Sequence, residues 1–545
     1  PKGTGKLITQ YDMYSITDEY GGVGLLKFDF LGIKNLAILA DAVTRVKETR
    51  GIEIDIENVP VDDTKTFEML ARGETEGTFQ LNGSGMTRWL KELRPSTIHD
   101  INAMVALYRP GPMETIPQYV ERKHNPKLIR FVDPRMKEYL DFSYGLLVYQ
   151  DDVLLTAIKL AGYSWLEADA LRKAMGKKIP AVMQAEKEKL LKGFVEYGKL
   201  SKEKAETLWL LIEPFAAYGF NKAHAASYGK VAYQTAYMKA NYPVEYFAAL
   251  LTADSGDTEQ ISIFVAEAKR MHIPVLPPDV NESGSDFTPL ETEPTDGSAL
   301  TGQAGLSNAI RFGLSSIKNF GDGISEAIIA ERKAHGPFKT LSDFLSRVGS
   351  KNLNRKSLES LIKCGALDSL SPSGRGALLE NIETLLSFHR EATALAPQDS
   401  LFGALIAPPP LTLHPGKPVS LLDKLAWEKE LLGIYVSGHP LDAHEAVTKK
   451  TKFSIAKMKA EPQPGMPVIL PVLVVAARSI LTKSGEKMAF ITVEDTTDSI
   501  EAVVFPKLFK EHAAVVAPGA CLLVKGKVSM RGGELSLAIE DLKPL

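Results

Sequence analysis

The sequence predicts a multidomain α+β chain, and three observations carry that prediction. Its 545 residues exceed one core at roughly 150 residues per domain. Apolar residues recur at three- and four-residue spacing through 63–275 and again through 308–372. From about Pro467 the period changes to two, with glycine turns between runs.

Composition narrows the function classes. Hydrophobic residues make up 44% and charged residues 24%, ordinary for a globular protein. The net charge of -3 gives no bulk argument for nucleic acid, so any such role must rest on local patches. The two cysteines, Cys364 and Cys521, lie far apart and outside any CxxC or Cys/His cluster. That spacing argues against structural zinc and a disulfide framework, and it fits a reducing, cytoplasmic setting. The most apolar run, Met466 to Ala477, is short and carries Pro467 and Pro471, so it reads as strand and not as a membrane span. The chain starts at Pro1 with no charged-then-apolar leader, and reads as a truncated product.

Residues 1–62 read as strand-rich. Leu25 to Leu31 forms a predicted strand that places Lys27 and Asp29 on one face, with Leu26, Phe28 and Phe30 toward a core. A carboxylate on a rigid strand suits a divalent metal, and a lysine beside it suits a phosphate. A half-buried strand with two outward polar residues is the competing reading. Asn35 to Arg50 reads as a helix with Leu36, Leu39, Ala40 and Val43 on one face.

Within 63–275, Arg109 precedes Pro110-Gly111-Pro112, a turn that would fix it for bidentate phosphate contact. Leu171 to Lys178 holds Arg172, Lys173, Lys177 and Lys178 with no acid. Leu171 and Met175 should pack inward, and Gly176 could end the helix and admit an anion. Asn221 is a predicted N-cap that would set Lys222 and His224 at a helix start, while Tyr228, Tyr233 and Tyr237 read as core.

Glu282 to Ser307 reads as loops or a small hairpin. Ile317 to Ile324 has a helix-hairpin-helix pattern, in which Lys318, Gly321 and Gly323 would present a tight turn to a DNA phosphate. Asn354 to Leu367 could form a second hairpin. Glu391 to Pro418 reads as a linker. Within it Gln398, Leu401 and Phe402 have the form of a short docking peptide, with two apolar anchors and one orienting amide. The terminal strands read as an oligonucleotide-binding barrel. Lys525, Lys527, Ser529 and Arg531 should share one strand face, with Val528 and Met530 opposite. Phe490, Phe505 and Phe509 read as core.

Taken in order, Lys27 to Gly32, Thr78 to Leu81, Arg109 to Pro112, Gly145 to Gln150, Leu171 to Lys178, Tyr218 to His224, Leu276 to Asp279 and Lys429 to Asp442 resemble one family. It is the alpha (catalytic) subunit of bacterial DNA polymerase III, a C-family replicative DNA polymerase. The resemblance implies the end of a nucleotidyltransferase-like palm at 1–62, mostly helical fingers at 63–304 and tandem helix-hairpin-helix motifs at 305–397. It further implies a clamp-binding peptide at 398–402, a helical connection at 403–465 and an OB-fold at 466–545. Asp29 would then be one of three metal-binding aspartates, the other two lying before Pro1, and two Mg²⁺ ions would serve the complete site. Lys27, Arg109, Arg172, Lys173, Lys177, Lys178, Asn221, Lys222 and His224 would face nucleotide or DNA phosphates. Implied partners are primer–template DNA, deoxynucleoside triphosphates, the sliding clamp, single-stranded template and other replicase subunits.

Two other readings compete. One is a non-catalytic DNA-binding and clamp-tethering scaffold. The other is a DNA ligase, suggested by Lys27-Phe28-Asp29 but weakened because Phe30 stands where the ligase motif has glycine.

Overall fold

The structure is a computed structural model describing residues 5, 9–16, 21–25, 28, 30–177, 180–213, 219–290, 308–349, 353–394, 411–451, 453–482, 484–531 and 534–545. The chain divides into two compact units, 1–44 with 54–241, and 45–53 with 242–545. The division after Asn241 falls inside the segment expected as fingers.

The first unit is helical among its described residues. Among the described residues of 1–62, helices Met13–Ile16 and Lys34–Arg50 and a short 3-10 turn, Ile56–Asn58, occur and no named strand does; Leu26, Lys27 and Asp29 of the expected strand lie outside the described residues. Phe28 and Phe30 do not face a core; they are 72% and 98% exposed. An extended segment buries a face only against a second layer, and none covers these rings among the described residues. Lys34–Arg50 forms the expected helix, but its buried face is Ile38, Leu39, Ala42 and Val46, with Leu36 exposed.

Two hydrophobic cores organise this unit. One gathers Phe67, Leu70, Leu90, Met104, Tyr119 and Tyr233. The other gathers Leu140, Val153, Leu160, Leu171, Phe194 and Trp209. Local polar groups set the helix starts. Asp63 accepts from the Thr66 amide at 2.8 Å, and Thr97 with Asp100 forms a reciprocal capping box. Lys239 is fully buried, with its ammonium on the carbonyls of Glu74 and Glu76 at 2.9 and 2.7 Å.

The second unit begins with helices Pro243–Ala253 and Thr258–Arg270. A small sheet follows, of β1 (Val275–Leu276), β2 (Thr288–Leu290) and β3 (Ala309–Arg311), ordered β1-β3-β2. β2 and β3 pair antiparallel, and β1 adds a parallel neighbour that the sequence did not announce; residues 291–307 of the segment expected as loops or a small hairpin lie outside the described residues. Helices Asp322–His335, Leu341–Arg347, Arg355–Lys363, Gly374–Glu380 and Ile382–Ala394 come next. The turn of the expected second hairpin is not available to DNA. Cys364, Ala366 and Leu367 are fully buried, and a side chain on Gly365, at φ +86°, would meet the Arg375 guanidinium at 2.2 Å. Arg375 is itself buried between Asp368 and the fully buried Glu428 on helix Leu421–Leu432.

The chain ends in a closed barrel of β4 (Pro467–Leu481), β5 (Lys487–Glu494), β6 (Ser499–Val504), β7 (Cys521–Arg531) and β8 (Glu534–Pro544), ordered β4-β5-β6-β8-β7. Val468, Leu470, Ile491, Val493, Ala502, Val524 and Leu537 fill it, so the period-two reading holds. Met530 is the exception. It is half exposed, not core, because β4 pairs with β7 only as far as Lys527 and β7 runs on beyond it toward its turn to β8. No described helix is long and apolar enough to cross a membrane.

Truncating Arg375 would strand Glu428 without its cation. Arg375→Leu is therefore expected to cost about 3–5 kcal/mol, and Arg375→Lys less. Urea titrations followed by circular dichroism check this, and an unchanged midpoint for Arg375→Leu contradicts it.

Candidate nucleotide and nucleic-acid interface

One contact in the first unit brings several candidate residues together. Tyr149 and Phe220 form an isolated parallel bridge, closed by the Gln150 amide donating to the Phe220 carbonyl at 2.9 Å. It joins the start of helix Gln150–Ala161 to the start of helix Lys222–Asn241. Asn221 caps the latter as expected, accepting from the His224 amide at 2.8 Å. Asp151 accepts from the Lys222 amide at 2.8 Å.

Side chains converge on this bridge. The Arg109 guanidinium lies 4.3 Å from the centre of the Phe220 ring, and the Lys222 ammonium 5.5 Å from that of Tyr149. Gly111 at φ +103° makes the turn behind Arg109, a conformation that favours glycine. The His224 ring lies between Phe220 at 5.3 Å and Tyr228 at 4.1 Å, and Phe79 extends the row at 5.3 Å from Tyr228. Tyr228 thus joins a half-exposed aromatic row, whereas Tyr233 is buried as expected. Sequence reasoning missed Tyr149, Asp151 and Phe220. The available signal was an aromatic directly before the Asn-Lys pair.

Asp152 lies beneath this loop, 1% exposed, and accepts from the Val148 and Tyr149 amides at 3.0 and 2.9 Å. Burial pushes its carboxyl up to about 6, against the pull of those amides and of Lys222, whose ammonium is 4.0 Å away.

The second expected cluster is differently arranged. Arg172 and Lys173 both pair with Asp169 on their own helix, at 2.8 and 3.0 Å, so a phosphate would have to compete with a carboxylate. Leu171 and Met175 point inward as expected. The helix runs Trp165–Lys177 and so continues through Gly176 instead of ending there. Lys178 lies outside the described residues, as does the Lys177 side chain.

In the second unit, Gly321 caps helix Asp322–His335, and Lys318, Gly321 and Gly323 are exposed. The element before this turn is a single 3-10 turn, Leu314–Ser316, in place of a full first helix. Asp322 stands in the first turn, where it competes with any phosphate. On the barrel, Lys525 and Lys527 are exposed, and Lys527 pairs with Glu540 at 2.7 Å. The Arg531 side chain is outside the described residues. Phe505 is half exposed and Phe490 half buried, so only Phe509 packs on the barrel core as expected. Exposed Arg478 pairs across strands with Phe490, an outer-face arrangement the sequence analysis did not anticipate.

Comparison with known proteins follows this layout. Residues 35–198 match the bacterial DNA polymerase III alpha subunit finger domain, 272–377 a helix-hairpin-helix motif, and 472–545 an OB-fold nucleic acid binding domain. DNA polymerase III subunit alpha of Thermus aquaticus is 41% identical over 97% of this chain and 42% of its own length. The Mycobacterium tuberculosis subunit is 38% identical over 99% and 45%, and the Bacillus subtilis subunit 37% over 97% and 45%.

The chain belongs to the alpha-subunit family of bacterial DNA polymerase III.

It spans less than half the length of these polymerase III relatives. Within the family's finger match lie Arg109, Tyr149, Asp151 and Asp152, and the bridge adds Phe220 to His224. Lys27, Asp29, Gln398, Leu401 and Phe402 lie outside the described residues. Among the described residues no group of three His, Cys, Asp or Glu side chains gathers as a metal site.

Asp152 gives a pH test of the polymerase III finger loop. Its folded value lies above the usual 3.8, so the folded state holds the extra proton between about pH 4 and 6. Stability from this group is present below that window and lost as pH rises through it. Asp152→Asn should lack the loss, so its urea midpoint relative to the parent rises from pH 4 to pH 7. A constant difference across that range contradicts the assignment.

Proposed function

We propose that this chain supplies the nucleotide- and DNA-holding part of a template-directed DNA polymerase, which transfers deoxynucleotides to a primer 3′-hydroxyl in bacterial chromosome replication. The observation that carries the reading is the gathering of Arg109, Lys222 and His224 at the Tyr149–Phe220 bridge in a chain of this family. Arg109 offers a guanidinium fork held in place by its turn and by Phe220, suited to two phosphate oxygens. Lys222 offers a point charge at a helix start where Asp151 and Asn221 already take the Lys222 and His224 amides, so its ammonium and not the backbone would meet the phosphate. The aromatic row beside them offers flat faces to a base.

Asp29 and Lys27 would form the catalytic edge, Asp29 as a carboxylate ligand and Lys27 on a phosphate. Two Mg²⁺ ions held there would activate the primer hydroxyl and offset charge on the departing pyrophosphate. The exposed glycine turn at Lys318, Gly321 and Gly323 would hold duplex backbone, and Lys525, Lys527 and Arg531 would track single-stranded template. Gln398, Leu401 and Phe402 would dock the sliding clamp.

In a complete alpha subunit containing this chain, Asp29→Asn should lower the primer-extension rate at least about a hundredfold, from loss of several kcal/mol of transition-state stabilisation. Primer–template affinity should stay unchanged. A rate near that of the parent removes the catalytic assignment. The 545-residue chain by itself should bind primer–template and extend none, and template-dependent incorporation would contradict that. Replacing Gln398, Leu401 and Phe402 by Ala should weaken clamp binding about tenfold or more; unchanged affinity by surface plasmon resonance defeats the docking role.

A further inference from the structure

Residues 122–132 hold Arg122, Lys123, Lys127 and Arg130 with no carboxylate among them. The structure sorts these cations into engaged and open. Lys123 is engaged, its ammonium at 2.5 Å from buried Asp100 and 2.7 Å from Ser96. The acids that follow are engaged too: Asp133 on the Arg135 fork and Glu138 on Lys159. Arg122 donates to the Tyr144 carbonyl at 3.0 Å. Arg130 donates to the carbonyls of Ile129, at 2.9 Å, and Lys127. Neither guanidinium is paired with a carboxylate among the described residues. A guanidinium has five N–H donors, so both keep donors to spare.

Gly145 shows how closely the two arginine segments are held. At φ +76°, a side chain there would meet the Arg130 carbonyl at 2.7 Å and the Arg122 guanidinium at 3.2 Å. Burial, and then the charge of Arg130, hold the Arg122 guanidinium below its usual range, and the adjacent Glu121 carboxylate offsets this only in part. In the same loop Phe142 is 63% exposed, its ring 4.3 Å from that of His99.

We propose that Arg122 and Arg130 form a further phosphate site on the first unit, for the sugar-phosphate backbone of single-stranded DNA, with Phe142 as a stacking face for a base. The site lies outside the Arg109–Lys222 group and rests on the polymerase reading above. Two open forks suit bidentate contact with phosphate oxygens, and the exposed ring of Phe142, three residues before the Gly145 that both arginine segments approach, favours a strand with bases over inorganic phosphate.

The test uses the 545-residue chain and a fluorescein-labelled oligothymidylate, read by anisotropy across a salt series. Arg130 is exposed, so Arg130→Glu and Arg130→Lys should both fold, as circular dichroism would verify. Arg130→Glu should weaken binding about tenfold and make the salt slope shallower by about 0.7 for each phosphate no longer neutralised. Arg130→Lys should keep most of the affinity, and dTTP binding by calorimetry should not change. Unchanged oligothymidylate affinity and slope for Arg130→Glu overturn the site, as does an equal loss from Lys202→Glu, a charge reversal at another exposed position. A loss confined to dTTP assigns the pair to a triphosphate and overturns the DNA-backbone reading. No binding by the unaltered chain removes the polymerase reading itself, and this site with it.

Discussion

The single bridge between Tyr149 and Phe220 is the constraint on which the candidate interface depends. One backbone hydrogen bond contributes only about 1 kcal/mol net. Its value lies in what it fixes. It sets the starts of two helices far apart in sequence against each other, and the Asp151 carboxylate holds the second start through the Lys222 amide. Arg109 then has a ring to lie on, and Lys222 and His224 leave the same helix start. Without the bridge, these residues share nothing in sequence but their charge.

The electrostatics separate cations that hold the fold from cations open to a ligand. Lys239, Lys123 and Arg375 are buried and bound to carbonyls or carboxylates, and removing any of them would leave a polar group stranded in the core. Arg172 and Lys173 are intermediate, because an exposed pair with Asp169 is worth at most about 1 kcal/mol and yields readily to a doubly charged anion. Lys527 on the barrel is in the same position with Glu540. The net charge of the chain reports none of this, since paired and unpaired lysines count alike.

Much of the fold was legible in the sequence because it rests on periodicity. The barrel followed from alternation, the helical segments from three- and four-residue spacing, and the Asn221 cap from residue type. Details set by a partner were not legible. The helix Lys34–Arg50 turns Ile38 and Ala42 inward, and not Leu36, because its neighbours choose the face. β4 pairs with β7 only as far as Lys527, so the exposure of Met530 beyond it could not be read from the alternation of β7 alone. The same holds at the interface. Residue types named Arg109 and Lys222, but only the fold shows that an aromatic pair joins them while Asp169 occupies Arg172. Asn354 to Leu367 could form a second hairpin by its residues, but only the fold shows Arg375 filling the space beside its Gly365 turn.

The most direct test of this account is a double-mutant cycle between Arg109 and Phe220, read as primer–template affinity at fixed salt. If the ring positions the guanidinium, Arg109→Ala, Phe220→Ala and the double variant should be non-additive, with a coupling of about 1 kcal/mol. Strict additivity, with Phe220→Ala alone leaving affinity untouched, would show that Arg109 is held by its turn and that the bridge does not organise the interface.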